Sequence, residues 1–295
     1  MADLGSQLCA VKTMPSIEEN LKTWNGDCAW PKEGDEWSER WGGSAAQWYC
    51  TLLPRICRFV PTETILEIAP GHGRWTQFLK TLCKTLIVVD LSPSCIEACK
   101  KRFCSDRHIR YYVNDGTSLD MVPDRSVDFV FSFDSLVHAE ADVIRQYLSH
   151  IARKLRGGGG GFIHHSTLGD FPWLIRLIKW SKRLRLYRSS TFIQQQEHWR
   201  AYSMTATLFR TFCRAAELSC TTQELVNWVG TRFCIDCLST FEREDSESSQ
   251  PCRVVRNPNL MMEAERARWL SRVYAYDGDQ ITPRKSADNS KYPEF

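Results

Sequence analysis

The sequence predicts a doubly wound α/β fold: a mostly parallel, seven-stranded, Rossmann-like sheet with a terminal antiparallel hairpin, a helical N-terminal lid and a helical cap insert. Three observations carry this. Short apolar runs alternate with amphipathic stretches of helical length, the pattern of a parallel sheet wound by crossover helices. The first run, Ile65-Leu66-Glu67-Ile68-Ala69, breaks at Pro70-Gly71-His72-Gly73 and feeds a segment with Trp75, Phe78, Leu79 and Leu82 at helical spacing. Past residue 205 the alternation gives way to one helix and two strands that read as a hairpin edge.

In chain order, residues 1–18 read as a flexible leader and 19–60 as interrupted helices, the last over 44–59. This second region holds Trp24, Trp30, Trp37, Trp41 and Trp48. An indole has a flat apolar face and one N–H donor, so these residues suit either core packing or a lid over a polar ligand. Strands are expected over 64–69, 85–90, 109–114, 126–132 and 161–165, with helices over 74–83, 93–103 and 141–155 between them. Gly157 to Gly161 read as a five-glycine turn. A basic amphipathic helix over 171–187 and a helix over 205–217 follow, then strands over 220–228 and 232–241 joined by Val229-Gly230-Thr231. The acidic, Ser-rich stretch 242–250 reads as a loop, 261–274 as a last helix, and the tail after Gly278 as disordered. The domain division is then a leader (1–18), a Trp-rich lid (19–60), a core (61–242) with a cap insert at about 166–204, and a C-terminal loop, helix and tail (243–295).

Composition bounds the function. A formal net charge of +3 is too small to argue for a nucleic-acid partner. No apolar run approaches the roughly 20 residues that span a bilayer. The first residues lack the apolar core of a secretory signal, and thirteen scattered cysteines, an odd count, suit reduced thiols, so the expected location is cytoplasmic.

The strand-turn-helix unit is a nucleotide cradle, because glycines let the backbone approach a ligand and the helix start presents free N–H groups. A dinucleotide fingerprint would continue to a third glycine, where this chain has Thr76. Glu67, inside the strand, would repel a pyrophosphate; it suits an ammonium or sulfonium, or holds turn amides. Asp90 ends the second strand, where a carboxylate accepts from both ribose hydroxyls. Asn114-Asp115-Gly116 follows the third strand, and Asp115 is placed to accept from an adenine amine.

This constellation resembles the class I S-adenosylmethionine-dependent methyltransferases, on Glu67-Ile68-Ala69-Pro70-Gly71-His72-Gly73, Asp90, Asn114-Asp115-Gly116 and Phe131-Ser132-Phe133-Asp134, over about 64–242. Ala69 departs from the family's usual glycine. The resemblance implies S-adenosylmethionine as cofactor, with contacts from Glu67, Ala69, Gly71, Gly73, Trp75, Asp90, Leu91, Asn114, Asp115, Gly116 and Phe133. A narrower similarity, on Trp37-Ser38, Trp41-Gly42-Gly43, Gln47-Trp48, Ser135-Leu136-Val137-His138-Ala139-Glu140 and Phe162-Ile163-His164-His165-Ser166, is to bacterial sugar and secondary-metabolite O-methyltransferases. It implies a hydroxyl acceptor; transfer to nitrogen, or a non-catalytic scaffold, is the alternative.

An alcohol acceptor needs a base, and histidine titrates in the right range. His138, His164 and His165 fall at the carboxyl ends of the fourth and fifth strands. His164 and His165 are consecutive in a strand and point to opposite faces, so at most one of them faces the ligand; His138, in the turn after the fourth strand with Asp134 beside it to orient it or the acceptor, is the preferred base, and His164 or His165 is the alternative. Asp134, His138, Glu140, His164 and Asp170 have metal-ligand chemistry, but their spacing is no metal signature; magnesium is compatible and no metal is predicted. Cys234-x-x-Cys237 stands alone and reads as buried cysteine. The cap carries Lys179, Lys182, Arg183, Arg185 and Arg188 among Trp173, Trp180, Tyr187 and Trp199, which suits a solvated basic helix, an acidic acceptor or a membrane surface. Gln194-Gln195-Gln196-Glu197-His198-Trp199 supplies donors and acceptors for carbohydrate. The expected partner is a small-molecule or saccharide acceptor, with no nucleic acid and no membrane span; homo-oligomerisation through the lid is left open.

Overall fold

The computed structural model describes residues 16–184, 199–228, 233–243 and 251–274. Its strands are β1 (Thr62–Ile68), β2 (Cys83–Asp90), β3 (Ile109–Val113), β4 (Val127–Ser132), β5 (Leu155–Ser166), β6 (Leu218–Val226), β7 (Asp236–Arg243) and β8 (Arg253–Asn257). They form one sheet in the order β3-β2-β1-β4-β5-β7-β6-β8. The first five are parallel; β7 runs antiparallel to β5 and β6, and β8 runs parallel to β6. Strand order reverses between β1 and β4, and in open α/β sheets the crevice at that switch point takes the ligand.

The helices are α1 (Ile17–Lys22), α2 (Ser44–Gln47), α3 (Leu53–Ile56), α4 (Thr76–Leu79), α5 (Pro93–Arg102), α6 (Ala141–Lys154), α7 (Pro172–Arg183), α8 (Ala206–Ala215) and α9 (Met261–Tyr274). Alternate strand residues face alternate layers. Leu66, Ile68, Val130 and Ile163 meet Ile144, Leu148 and Ile151 of α6 and Phe209 of α8. Ile65, Leu86, Phe129 and Phe131 meet Trp48, Leu52, Ile56, Leu79 and Ile96 on the other face. A third, smaller cluster of Leu168, Leu174, Ile178, Tyr202 and Ile235 seats α7 against the sheet end. Arg55 of α3 ties the N-terminal region down: its guanidinium pairs with Glu224 of β6 at 2.7 Å and Glu263 of α9 at 2.7 Å.

Several local features differ from the sequence reading. The sheet has eight strands rather than seven. The extra one, β8, is an edge strand exposed along nearly its whole length, so it carries no in-out alternation to detect. The helix expected over 74–83 shrinks to α4, because Cys83 already pairs with Thr62 at the start of β2. The five-glycine turn is instead a bulge within β5. Its ladder with β4 jumps from Val127–Leu155 to Phe129–Gly160, so the first glycines loop out while Gly160 and Gly161 pair. Those two are glycine for lack of room: an added Cβ would lie 2.5 Å from the Phe59 ring at Gly160 and 2.3 Å from the Phe241 ring at Gly161. Residues 16–18, assigned to the leader by composition, cap and begin α1: Ser16 and Glu19 form a reciprocal capping box. Glu242 and Arg243, expected in the acidic loop, belong to β7. The 229–231 connection, the rest of that loop, the remainder of the leader, the cap over 185–198 and the C-terminal tail lie outside the described residues.

Candidate active site

β1 ends at Ile68, and the chain turns through Ala69 (φ 58°), Gly71 (φ 60°) and Gly73 (φ 88°), all left-handed. Two of these positions also lack space for a side chain. A Cβ on Gly73 would sit 2.5 Å from the Phe103 ring, and one on Gly71 would sit 2.8 Å from the Trp30 ring. Ala69 holds the same backbone conformation with a methyl group, which costs an L-residue about 1 kcal/mol.

This loop forms the floor of a cleft over the carboxyl ends of β1, β2 and β4. Of the residues predicted to bind cofactor, Ala69, Gly71, Trp75, Asp90, Leu91, Gly116 and Phe133 line it. Gly73 does not; it lets the loop pack on α5. Asp90 accepts from the backbone N–H of Gly71 at 3.3 Å and of Ser92 at 2.8 Å, so it shapes the loop as well as facing the cleft. Burial pushes its carboxyl up to about 6. Glu67 is buried behind the wall rather than in it. Its Oε2 accepts from the Thr76 hydroxyl at 2.6 Å, and its Oε1 is buried with no hydrogen-bond partner. Burial, reinforced by Asp90, pushes Glu67 up to about 8.

Asn114 and Asp115 are spent on local structure. Asn114 donates to Tyr147 Oη at 2.9 Å and accepts from Gly116 N–H. Asp115 is exposed and accepts from Thr117 N–H at 2.8 Å and Ser118 N–H at 2.7 Å; these amides outweigh its slight burial and hold its carboxyl low. Neither lines the cleft.

The three histidines separate. His138, in the short 3-10 turn Leu136–His138, lines the cleft and is 9% exposed. Its Nδ1 lies 2.8 Å from the Trp199 carbonyl, an acceptor, so Nδ1 carries a proton and the neutral ring has its lone pair on Nε2. His165 is buried on the opposite face, stacked on Phe209 at 4.3 Å and bonded to Ser166 O and Ser239 Oγ; burial pushes it down to about 4. His164 is buried beneath Phe133, with ring centroids 4.8 Å apart. Its Nδ1 accepts from the Asp134 N–H at 3.1 Å, so Nε2 is protonated and lies 3.3 Å from Asp236. Of the three candidate bases, only His138 reaches the cleft.

Asp134 also lines the cleft, at φ 62°, and pairs with Arg74 at 2.8 Å. Burial alone would raise its carboxyl, but Arg74, His164 and Arg200 hold it low. Beneath it Arg200 grips Asp236 with bonds of 2.8 and 3.0 Å, and Trp228 donates to the same carboxylate. Asp236 is fully buried, yet Arg200 and His164 keep it ionised.

The tryptophans divide by role. Trp41 and Trp48 are buried in the core, while Trp24, Trp30 and Trp37 line the cleft. Trp30 stacks on His72 at 4.2 Å, and Trp24 packs 5.5 Å from His138 and 6.1 Å from Trp199. α1 completes the cover: Ile17 sits against Gly116, and Asn20 donates to the His138 carbonyl at 3.2 Å. Ile17, Asn20, Arg74, Ser135 and Tyr147 are cleft residues that sequence reasoning did not single out. The Ser16-x-x-Glu19 capping box was the available signal for α1; Tyr147, one buried residue of an amphipathic helix, had none.

The donor set fits S-adenosylmethionine. A buried carboxylate at the end of β2 suits ribose hydroxyls, Leu91 and Gly116 add apolar wall that a purine could lie against, and two buried donors, Arg74 Nη1 and Trp75 Nε1, have no partner among the described residues. As for metal, Glu140 is occupied by Tyr202 and Ser203, and Asp170 accepts from Ala206 N–H. Among the described residues no three His, Cys, Asp or Glu side chains are grouped to hold an ion. Cys234 and Cys237 are both buried.

Comparison with known proteins agrees with the geometry. A family model described as a methyltransferase domain matches residues 65–159. The ribosomal RNA small subunit methyltransferase A of Coxiella burnetii is 32% identical over 59 residues, 20% of this chain and 23% of that one. The chain thus spans about a quarter of the length of the curated relatives it matches. Among solved structures, a geranyl diphosphate methyltransferase in complex with geranyl diphosphate and sinefungin superposes with a TM-score of 0.54 at 12% identity, covering 79% of this chain and all of that one. The PH0226 protein from Pyrococcus horikoshii gives 0.50 at 16% identity, over 75% of this chain and 95% of that one. At these identities the structures speak to fold alone. The methyltransferase-domain match thus lies over β1 to β5, around the cleft, and the sheet as a whole superposes on a methyltransferase fold.

Proposed function

We propose that the chain is an S-adenosylmethionine-dependent O-methyltransferase that acts on a hydroxyl of a sugar or other hydroxylated small molecule, with His138 as general base. The observation that carries the reading is His138 itself. It is the candidate imidazole on the cleft wall, and the Trp199 carbonyl holds it in the tautomer whose Nε2 accepts a proton. Asp90, Leu91 and Gly116 would hold the nucleoside, and Arg74 and Trp75 the amino-acid portion. When bound, the cofactor supplies an electrophilic methyl group on a sulfonium. Trp24, Trp30 and Trp37 exclude water and present flat faces to the C–H surface of a saccharide, while the Asp134–Arg74 pair offers an acceptor and a donor to its hydroxyls. Holding acceptor oxygen and base in line supplies much of the rate in such a displacement.

The test is transfer from methyl-labelled S-adenosylmethionine to pooled sugars and hydroxylated metabolites. His138→Asn is expected to cut turnover by about 10²–10⁴, to remove the acidic limb of the rate profile and to leave cofactor affinity unchanged. A near-wild-type rate on an amine acceptor with this variant would replace the reading with transfer to nitrogen, which needs less help from a base. Absence of cofactor binding by calorimetry would remove both.

A further inference from the structure

We propose that α7 is a docking helix for an anionic lipid surface. α7 buries Leu174, Ile178 and Ser181 against the third apolar cluster, which fixes the orientation of its other side. At about 100° per residue, Trp173, Arg176, Trp180, Arg183 and Leu184 fall on one outward stripe, with Lys179 at its margin. All six are exposed: Trp173 is 47% accessible, Trp180 56% and Leu184 47%. The two indoles are seven residues apart, or roughly 10 Å along the axis, on nearly the same side.

Two features of the stripe select the partner. Its charge is of one sign: residues 171–184 hold four cations and no acid, and no Asp or Glu follows before Glu197. Arg176, Lys179 and Arg183 pair with no carboxylate among the described residues. Its apolar component is indole, which favours the headgroup level of a bilayer, where the ring is buried and its N–H stays wet. A duplex would use the cations but offers no open base face to the two indoles and the leucine, and the chain's net charge of +3 provides no wider basic field for a single strand that could stack on them. α7 follows the carboxyl end of β5, and the cleft lies over the carboxyl ends of β1, β2 and β4 on the same edge of the sheet, so docking would bring that edge toward the surface. The inference is independent of the acceptor's identity.

The experiment is co-sedimentation of the full chain with vesicles of phosphatidylcholine alone, or with about a third phosphatidylglycerol, at low and high salt. Retention is expected only on the anionic vesicles and is expected to fall with salt. Arg176→Glu with Lys179→Glu, and separately Trp173→Ser with Trp180→Ser, are each expected to lower the partition coefficient about tenfold. All four positions are on the surface, and circular dichroism checks that the fold is kept. Trp269→Ser, at an indole 62% exposed on α9, is expected to change nothing. Failure to bind anionic vesicles, binding that the α7 variants leave intact, or capture of single-stranded RNA in preference to vesicles would each overturn the proposal.

Discussion

Replacing Glu67 by Gln tests the physics of the cofactor loop without changing its shape. The Glu67 carboxyl is buried, holds one hydrogen bond from Thr76, and is pushed up from 4.5 to about 8, by burial first and by Asp90 after it. An acid whose folded pKa is raised is protonated in both states below about pH 4.5 and adds nothing to the pH dependence there. As pH climbs toward 8 the unfolded chain ionises freely and the folded one does not, so the wild type loses stability relative to the variant. At about 1.4 kcal/mol per pH unit, the shift amounts to roughly 5 kcal/mol once pH exceeds 8. Gln keeps the Thr76 contact but buries an amide N–H where Oε1 had no partner, which costs the variant about 1–3 kcal/mol at every pH. The readout is therefore the slope. Urea denaturation from about pH 5 to about pH 9 is expected to show the Gln variant gaining steadily on the wild type and overtaking it in the alkaline range. A difference between the two proteins that stays constant across that range would refute the assignment of Glu67 as a protonated, desolvated acid.

Three further outcomes follow from the same geometry. Ala69→Gly relieves a left-handed residue and is expected to stabilise the fold by up to about 1 kcal/mol after the glycine's extra unfolded-state entropy is counted, measured by thermal or urea unfolding. Gly71→Ala drives a Cβ to 2.8 Å from the Trp30 ring at a φ of 60°; it is expected to weaken cofactor binding at least about tenfold by calorimetry, and Trp30→Ala in the same chain should restore part of the loss. Asp236→Ala strands the buried Arg200 guanidinium and is expected to cost about 3–5 kcal/mol in denaturant, whereas a change under 1 kcal/mol would mean that Arg200 finds water or another acid.

Much of the architecture was legible before any coordinates. Parallel strands buried on both faces are continuous apolar runs, and turn residues punctuate them, so the five-strand wound core and its antiparallel edge could be read directly. Glycine positions in the β1 loop and the acid at the end of β2 were legible because backbone conformation and charge at a strand end act locally. β8 was not, since an edge strand with no buried face leaves no periodicity. The glycines of β5 were misread for a related reason: a flexible run looks like a turn until the Phe59 and Phe241 rings that need the space are placed.

The sequence by itself determined the fold class, the cradle and the short set of candidate bases, because those depend on period, turn chemistry and neighbours along the chain. Only the tertiary structure decided among the candidates. It sent His165 into the opposite layer and His164 under Phe133, and left His138 on the cleft wall; it withdrew Glu67 behind the loop and turned Asp115 to its own backbone. It also split five tryptophans into core and lid, and laid α1 over the cleft. These outcomes rest on contacts between residues far apart in the chain, such as Asn20 with His138 and His164 with Asp236, and burial and charge pairing at that range are set by how the layers stack.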